Sequence, residues 1–252
     1  MILEEPFAEG HSVFHRCDAR VKLLVAAAWS IVVAVSNHLP AAAIAGALSI
    51  GLVLLARLNP LRVFARLVVA NAFVAFLWLV LPLSHPGTPL YELGPLAITR
   101  EGVRLTALIT LKCNAILLSF VALVGTSRIF DVGHALIRLR VPKSLVLVLF
   151  FCYRYLHVIH EEYHRLVDAM IVRNFRPGTN RRTYAAYASL LGALLVSSHD
   201  RAQRIYQAML CRNFHGEFPV MTVGHLRAAD VALGAALAAI TAALGVFQWT
   251  AT

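Results

Sequence analysis

The feature that most limits what this chain can become is a run of 21 residues, Val63 to Leu83, whose only charge is Arg66 near its start. At ~1.5 Å of rise per residue such a run crosses ~30 Å of hydrocarbon as a helix. Inside hydrocarbon no water can satisfy a bare peptide group, so the run must be helical. Four further apolar segments accompany it: Leu23 to Val35, Ala41 to Ala56, Val103 to Gly125, and Ala228 to Trp249. The first two are short for a bilayer and need flanking residues or local thinning. Composition agrees. Hydrophobic residues make up 59% of the 252, charged residues 14%, and mean hydropathy is +0.71. Soluble domains carry about 25% charged residues. This excess does not fit one soluble core, which argues against a soluble enzyme, a disordered tail and a disulfide-rich secreted module. The expected fold is an all-α membrane protein with about five transmembrane helices and a cytoplasmic module of long amphipathic helices.

The net charge of +10 comes from 23 basic residues, twenty of them Arg. In a soluble protein that would point to nucleic acid; here topology explains it, and no nucleic-acid partner is expected. Arg16, Arg20 and Lys22 precede the first segment, and Arg57, Arg62 and Arg66 sit between the second and third. Fourteen more lie between Arg128 and Arg227. Only Arg100, Arg104 and Lys112 fall elsewhere. Basic residues stay cytoplasmic, so the expectation is N-terminus inside, C-terminus outside and five spans. No signal peptide is read: Glu4, Glu5 and Glu9 open the chain, and no apolar run precedes Val21. Cys17, Cys113, Cys152 and Cys211 have no CxxC spacing and imply no disulfide framework. Ser84 to Gly102, with Pro86, Gly87, Pro89, Gly94 and Pro95, reads as a surface loop.

Residues 126–226 form the expected cytoplasmic module, between transmembrane segments within 1–125 and 227–252. Leu145 to Cys152 is apolar but too short to span. Amphipathic helical patterns run from about Tyr153 to Asn174 and from about Ala185 to Asn213, broken by Pro177-Gly178 and followed by Pro219. These two helices end alike. Ala169-Met170-Ile171-Val172-Arg173-Asn174-Phe175 is repeated 39 residues later as Ala208-Met209-Leu210-Cys211-Arg212-Asn213-Phe214. The shared pattern A-M-x-x-R-N-F has local physical meaning. Ala and Met favour helix and let another surface approach. Arg complements the negative end of the helix dipole. Asn tolerates the left-handed closing residue, second only to Gly. Phe folds back or projects as an anchor. The pair reads either as two well-made caps or as two plugs for two equivalent sockets on a partner with twofold pseudo-symmetry.

With these residues in view, the chain resembles the T component of energy-coupling factor (ECF) transporters, in its cobalt-transport, CbiQ-like branch. His15-Arg16-Cys17-Asp18-Ala19-Arg20-Val21-Lys22-Leu23 resembles the family's H-x-x-D-x-R-x-K-L start. Asp131 to Pro142 is similar to the segment before the coupling helices, and those helices end at Arg173 and Arg212 in an A-M-x-x-R-G-like signature. Asn174 and Asn213 stand where the family often has Gly. The resemblance implies a multi-pass, non-catalytic scaffold in the bacterial inner membrane. Two CbiO-like ATPases dock on the coupling helices through Ala169, Met170, Arg173, Asn174 and Phe175 and through Ala208, Met209, Arg212, Asn213 and Phe214. A CbiM-like metal-binding S component docks elsewhere, with a small accessory membrane subunit as an optional partner. ATP and Mg belong to the ATPases, cobalt or nickel to the S component, and no cofactor to this chain. No G-x-x-x-x-G-K-[ST] occurs, so the sequence offers no phosphate-cradling loop.

Other signals compete. His160-Glu161-Glu162-Tyr163-His164 fits H-E-x-x-H, in which two His bind zinc and Glu activates water. A membrane zinc protease is therefore an alternative, but the acidic residues downstream (Asp168, Asp200, Glu217) sit in no supporting motif. The plainer reading is the polar face of a coupling helix. His157, His160 and His164 share one face, where cobalt or nickel could bind, and His11 and His15 form a weaker pair. Lys112, Cys113 and Asn114 lie inside the fourth span, and Asn71 inside the third. Intramembrane polar groups mark function by default. Asn71, Lys112 and Asn114 are read as S-component or interhelix contacts, with a stand-alone secondary transporter as a further alternative. Gly46, Gly51, Ala41 to Ala43 and Ala45 give the second span a small face suited to close helix approach.

Overall fold

Helix boundaries follow local chemistry. Asp18 is extended, and its carboxylate accepts from Arg20 N at 3.0 Å, opening helix α1, Ala19–Val35. Pro40 sits in the first turn of α2, Leu39–Leu55, where its missing N–H costs nothing. Helix α3 is Pro60–Ser84. Thr99 accepts from Gly102 N at 3.3 Å and opens α4, Arg100–Leu123. There follow α5, Ile129–Arg138, α6, Lys143–Val172, α7, Arg181–Cys211, and α8, Ala228–Thr250. The computed structural model describes residues 14, 17–84, 88–93, 96–214 and 228–250. His11, His15, Arg16, Pro86, Gly87, Gly94, Pro95, Glu217, Pro219 and Arg227 lie outside the described residues.

The fold is that of an all-α membrane protein with one small addition. The stretch read as a loop carries a two-stranded antiparallel ribbon, β1 (Pro89–Leu93) and β2 (Leu96–Thr99), pairing Tyr91 with Ile98 and Leu93 with Leu96. Glu101 in the first turn of α4 accepts from Thr88 N at 2.9 Å and Thr88 Oγ1 at 3.0 Å, tying the ribbon to the helix.

Contacts divide the described residues into two units, one within 14–135 together with 228–250 and the other within 136–214. In the first, a bundle, the core is built from small residues and a few large ones. Trp29, Val33, Ala45 and Ala115 form one cluster; Phe14, Val25, Ala26, Leu52, Ala56, Ala122 and Leu123 form another. The small face of α2 is real, but alanine and serine make it: Ala41, Ala42, Ala45 and Ser49 are buried, whereas a Cβ added at Gly46 or Gly51 would meet nothing within 4 Å. Gly102 does carry a close approach, because a Cβ there would lie 2.8 Å from Leu81 O and Pro82 Cα of α3.

Helix α3 buries only Val63, Val74 and Pro82 and leaves Phe64, Val69, Phe73 and Leu79 bare, as a lipid-facing helix must. By length and composition α3, α4 and α6 can each cross a membrane, while Leu39–Leu55 and Asp230–Val246 are shorter apolar helices. The extent of α6 corrects the sequence reading. Leu145 to Cys152 is no isolated piece, because Lys143 to Val172 holds neither Gly nor Pro, and one 30-residue helix runs through it. The second unit is dominated by α6 and α7, two rods that bury almost nothing. Val146 is buried in the first, and Thr183 and Leu190 in the second.

Candidate functional site

The two A-M-x-x-R-N-F endings fold identically. Asn174 (φ 60°) and Asn213 (φ 59°) take the left-handed conformation. Phe175 N donates to Met170 O at 3.0 Å and Asn174 N to Ile171 O at 2.9 Å. Phe214 N donates to Met209 O at 3.1 Å and Asn213 N to Leu210 O at 3.0 Å. This is the Schellman closure, made twice. Four of the five repeated residues are thereby explained locally. Ala holds the last helical turn, Met supplies the accepting carbonyl, Asn takes the positive φ, and Phe returns to the body of the unit. Phe175 meets the Tyr187 ring edge-on at 5.8 Å, and Phe214 lines a groove with Leu147, Phe151 and Tyr155. Arginine is the remainder. Arg173 and Arg212 are exposed, and neither guanidinium has a hydrogen-bond or ion-pair partner among the described residues.

The rods touch where the repeat says they should. Arg201 of α7 pairs with Glu162 of α6 at 3.4 Å, and Glu162 also pairs with Arg165. Residues 162 and 201 are 39 apart, the offset of the repeated endings. The rods therefore meet at equivalent positions, as two elements related by a pseudo-twofold axis do. Each terminal arginine lies eleven residues past that contact, or ~16 Å along a helix. Contacts on either side run antiparallel: Phe175 reaches Tyr187, while Phe214 reaches Leu147 and Phe151. The arginines are thus sent to opposite ends of the pair. A groove of ≈ 460 Å³ opens between the rods. Large apolar side chains of the rods are bare, among them Tyr206 in the groove lining and, elsewhere on α6 and α7, Leu156, Val172 (87% exposed) and Leu195.

The H-E-x-x-H segment is absorbed into this surface. Glu162 is the contact residue of the crossing, and Glu161 pairs with His157 at 3.2 Å. His160 and His164 face one another, and among the described residues no third His, Cys, Asp or Glu joins them in a metal-binding group.

The intramembrane polar residues are interhelix contacts. Asn71 of α3 and Asn114 of α4 exchange two hydrogen bonds, at 2.8 and 3.0 Å. Trp78 Nε1 donates to Thr110 Oγ1 at 3.0 Å beside them. Lys112 Nζ donates to Ala34 O at 2.9 Å, satisfying a carbonyl of the last turn of α1 and placing a cation at the negative end of its dipole. Cys113 is an exposed free thiol.

Sequence reasoning missed two groups. One is the Glu162–Arg201 contact, which the 39-residue offset signals. The other lies at one end of the bundle. Lys22 is buried, and its Nζ lies 3.5 Å from Thr126 Oγ1, with Cys17, Asp18, Asp131 and the buried Asp230 exerting charge on it. Burial pushes the Lys22 ammonium down to about 8, against the pull of those neighbours. Burial likewise pushes the Cys17 thiol up, reinforced by its hydrogen bond to Asp230. The signal was a charge standing at the threshold of two apolar runs, Lys22 and Asp230.

A lipid-facing bundle joined in sequence to two matched, apolar-faced rods defines a multi-pass membrane protein. The family model described as "Cobalt transport protein", CbiQ, matches residues 10–222, and the chain belongs to that family. It is 28% identical over 149 residues to the cobalt transport protein CbiQ of Rhodobacter capsulatus, a match covering 57% of this chain and 61% of that protein. It is 24% identical over 221 residues to the energy-coupling factor transporter transmembrane protein EcfT of Bacillus subtilis, covering 83% of each. A putative ABC transporter ATP-binding protein of Bifidobacterium longum is 24% identical over 213 residues, but this chain spans 27% of its length.

Proposed function

We propose that this chain is the membrane scaffold of an ATP-driven ECF-type cobalt importer, carrying motion from two ATPases to a separate metal-binding S component. The duplicated ending carries the proposal. The closing hydrogen bonds and ring contacts use every repeated residue except the arginines, which complement the helix dipole but make no side-chain hydrogen bond or ion pair among the described residues, and those lie exposed at opposite ends of a pseudo-twofold pair. In this reading each guanidinium enters a groove on one ATPase and meets a carboxylate there, a charge-assisted pair of the strong kind. ATP is hydrolysed on the partners, and cobalt is held by the S component. The N-terminus and the rods face the cytoplasm, where twenty of the 23 basic residues would lie. The bare apolar faces of the rods supply the remaining contact with partners and bilayer.

The test is Arg173→Glu with Arg212→Glu in the assembled transporter. A desolvated ion pair broken on one side costs about 2–5 kcal/mol. Loss of two drops ATPase capture and metal uptake at least about a hundredfold while the chain still reaches the membrane folded. Normal uptake by the double variant would sink the proposal.

A further inference from the structure

We infer that His160 and His164 form a two-point chelate for a first-row divalent transition metal on the exposed face of α6. The residues sit four apart on a continuous helix, so their side chains rise from neighbouring turns of one face. Their Nε2 atoms are 3.0 Å apart, and the rings stand nearly perpendicular, at 88°. Metal–imidazole bonds of about 2.0–2.1 Å at a right angle put two nitrogens about 2.8–3.0 Å apart. The pair therefore already has the spacing of adjacent ligands in an octahedral shell. As neutral rings they share one proton between the Nε2 atoms. Moving that proton to Nδ1 of its own ring frees a second lone pair, so a cation binds with no net proton release. Among the described residues no third His, Cys, Asp or Glu completes a cage, and the remaining positions fall to water.

Imidazole suits nickel, copper, zinc and their neighbours. His157 is engaged by Glu161 at 3.2 Å and is not a ligand. A bound cation would staple one turn of the rod nine residues before Arg173. The inference is independent of the role proposed for that arginine.

The experiment uses the full chain in detergent, carrying no polyhistidine tag, with Ni²⁺ as the probe in equilibrium dialysis. Wild type retains one Ni²⁺ that His160→Gln/His164→Gln does not. Two linked ligands exceed one by about a hundredfold, so either single variant weakens that binding by about this factor. His157→Gln leaves it within about twofold of wild type. Equal Ni²⁺ binding by wild type and the double variant overturns the site. So does loss in His157→Gln as complete as in the double variant.

Discussion

The bundle and the rods use polar side chains in opposite ways. In the bundle several pair within the chain, Asn71 with Asn114, Trp78 with Thr110, Lys112 with the Ala34 carbonyl and Lys22 with Thr126, while Trp29 Nε1 and Ser49 Oγ are buried without a partner among the described residues. In the rods one internal contact, Glu162 with Arg201, sets the crossing, and the two repeated arginines are left outside. Apolar residues divide the same way. Ala42, Ala115 and Ala122 vanish into the bundle, while Val172, Leu195 and Tyr206 stay bare on the rods. A charged residue matched within its own chain reports on folding. One that its own chain declines reports on a partner.

Four changes break or sharpen that contrast. The largest acts at Lys22. Its pKa of about 8 lies below that of a lysine in the unfolded chain, so the unfolded state binds more protons between about pH 8 and 10.4. The burial penalty is complete below pH 8 and is relieved as pH rises through that window, by about 3 kcal/mol. Apparent stability in detergent should climb there, and Lys22→Met should flatten the climb; matching slopes would remove Lys22 as the cause. Next is Gly102→Ala, which drives a methyl into the α3 backbone and should cost about 1–3 kcal/mol by thermal unfolding. It should leave ATPase capture unchanged. A Gly102→Ala protein as stable as wild type would mean that the helices do not pack this closely.

The caps come third. Asn174→Val or Asn213→Val places a β-branched residue at positive φ, at about 1–2 kcal/mol each, and should fray the last turn by hydrogen exchange. Glycine at either position should leave the last turn as protected as in wild type. Equal tolerance of Val and Gly would show that the left-handed closure is not what holds Arg173 and Arg212 in place. The smallest effect is the coupling between Asn71→Leu and Asn114→Leu, about 0.6–1.7 kcal/mol in a double-mutant cycle. Additive losses would mean that the amides do not pair in the membrane.

Much of this was legible in the residues because each rested on a local rule. Hydrocarbon forces helices, so the apolar runs appear as α1 to α4 and α8. Positive-φ asparagine closes helices, so both rods end at the expected Asn. Where the reading stopped short, the cause was tertiary. Leu145 to Cys152 looked too short because its continuation into Tyr153 and beyond is polar, yet backbone continuity depends on the absence of breakers. Gly46 and Gly51 looked like contact residues, but the face of α2 that meets α4 is chosen by burial of Ala42, Ala45 and Ser49. H-E-x-x-H matched a motif whose chemistry needs ligands from elsewhere. Its second glutamate instead serves the crossing, a role visible only once residues 162 and 201 are seen to share the repeat's offset.

The most direct measurement is photo-crosslinking from positions 173 and 212 in the assembled transporter, one photoreactive residue at a time. The account predicts an adduct with an ATPase chain from each position. Adducts confined to lipid, or to this polypeptide itself, from either position would contradict it.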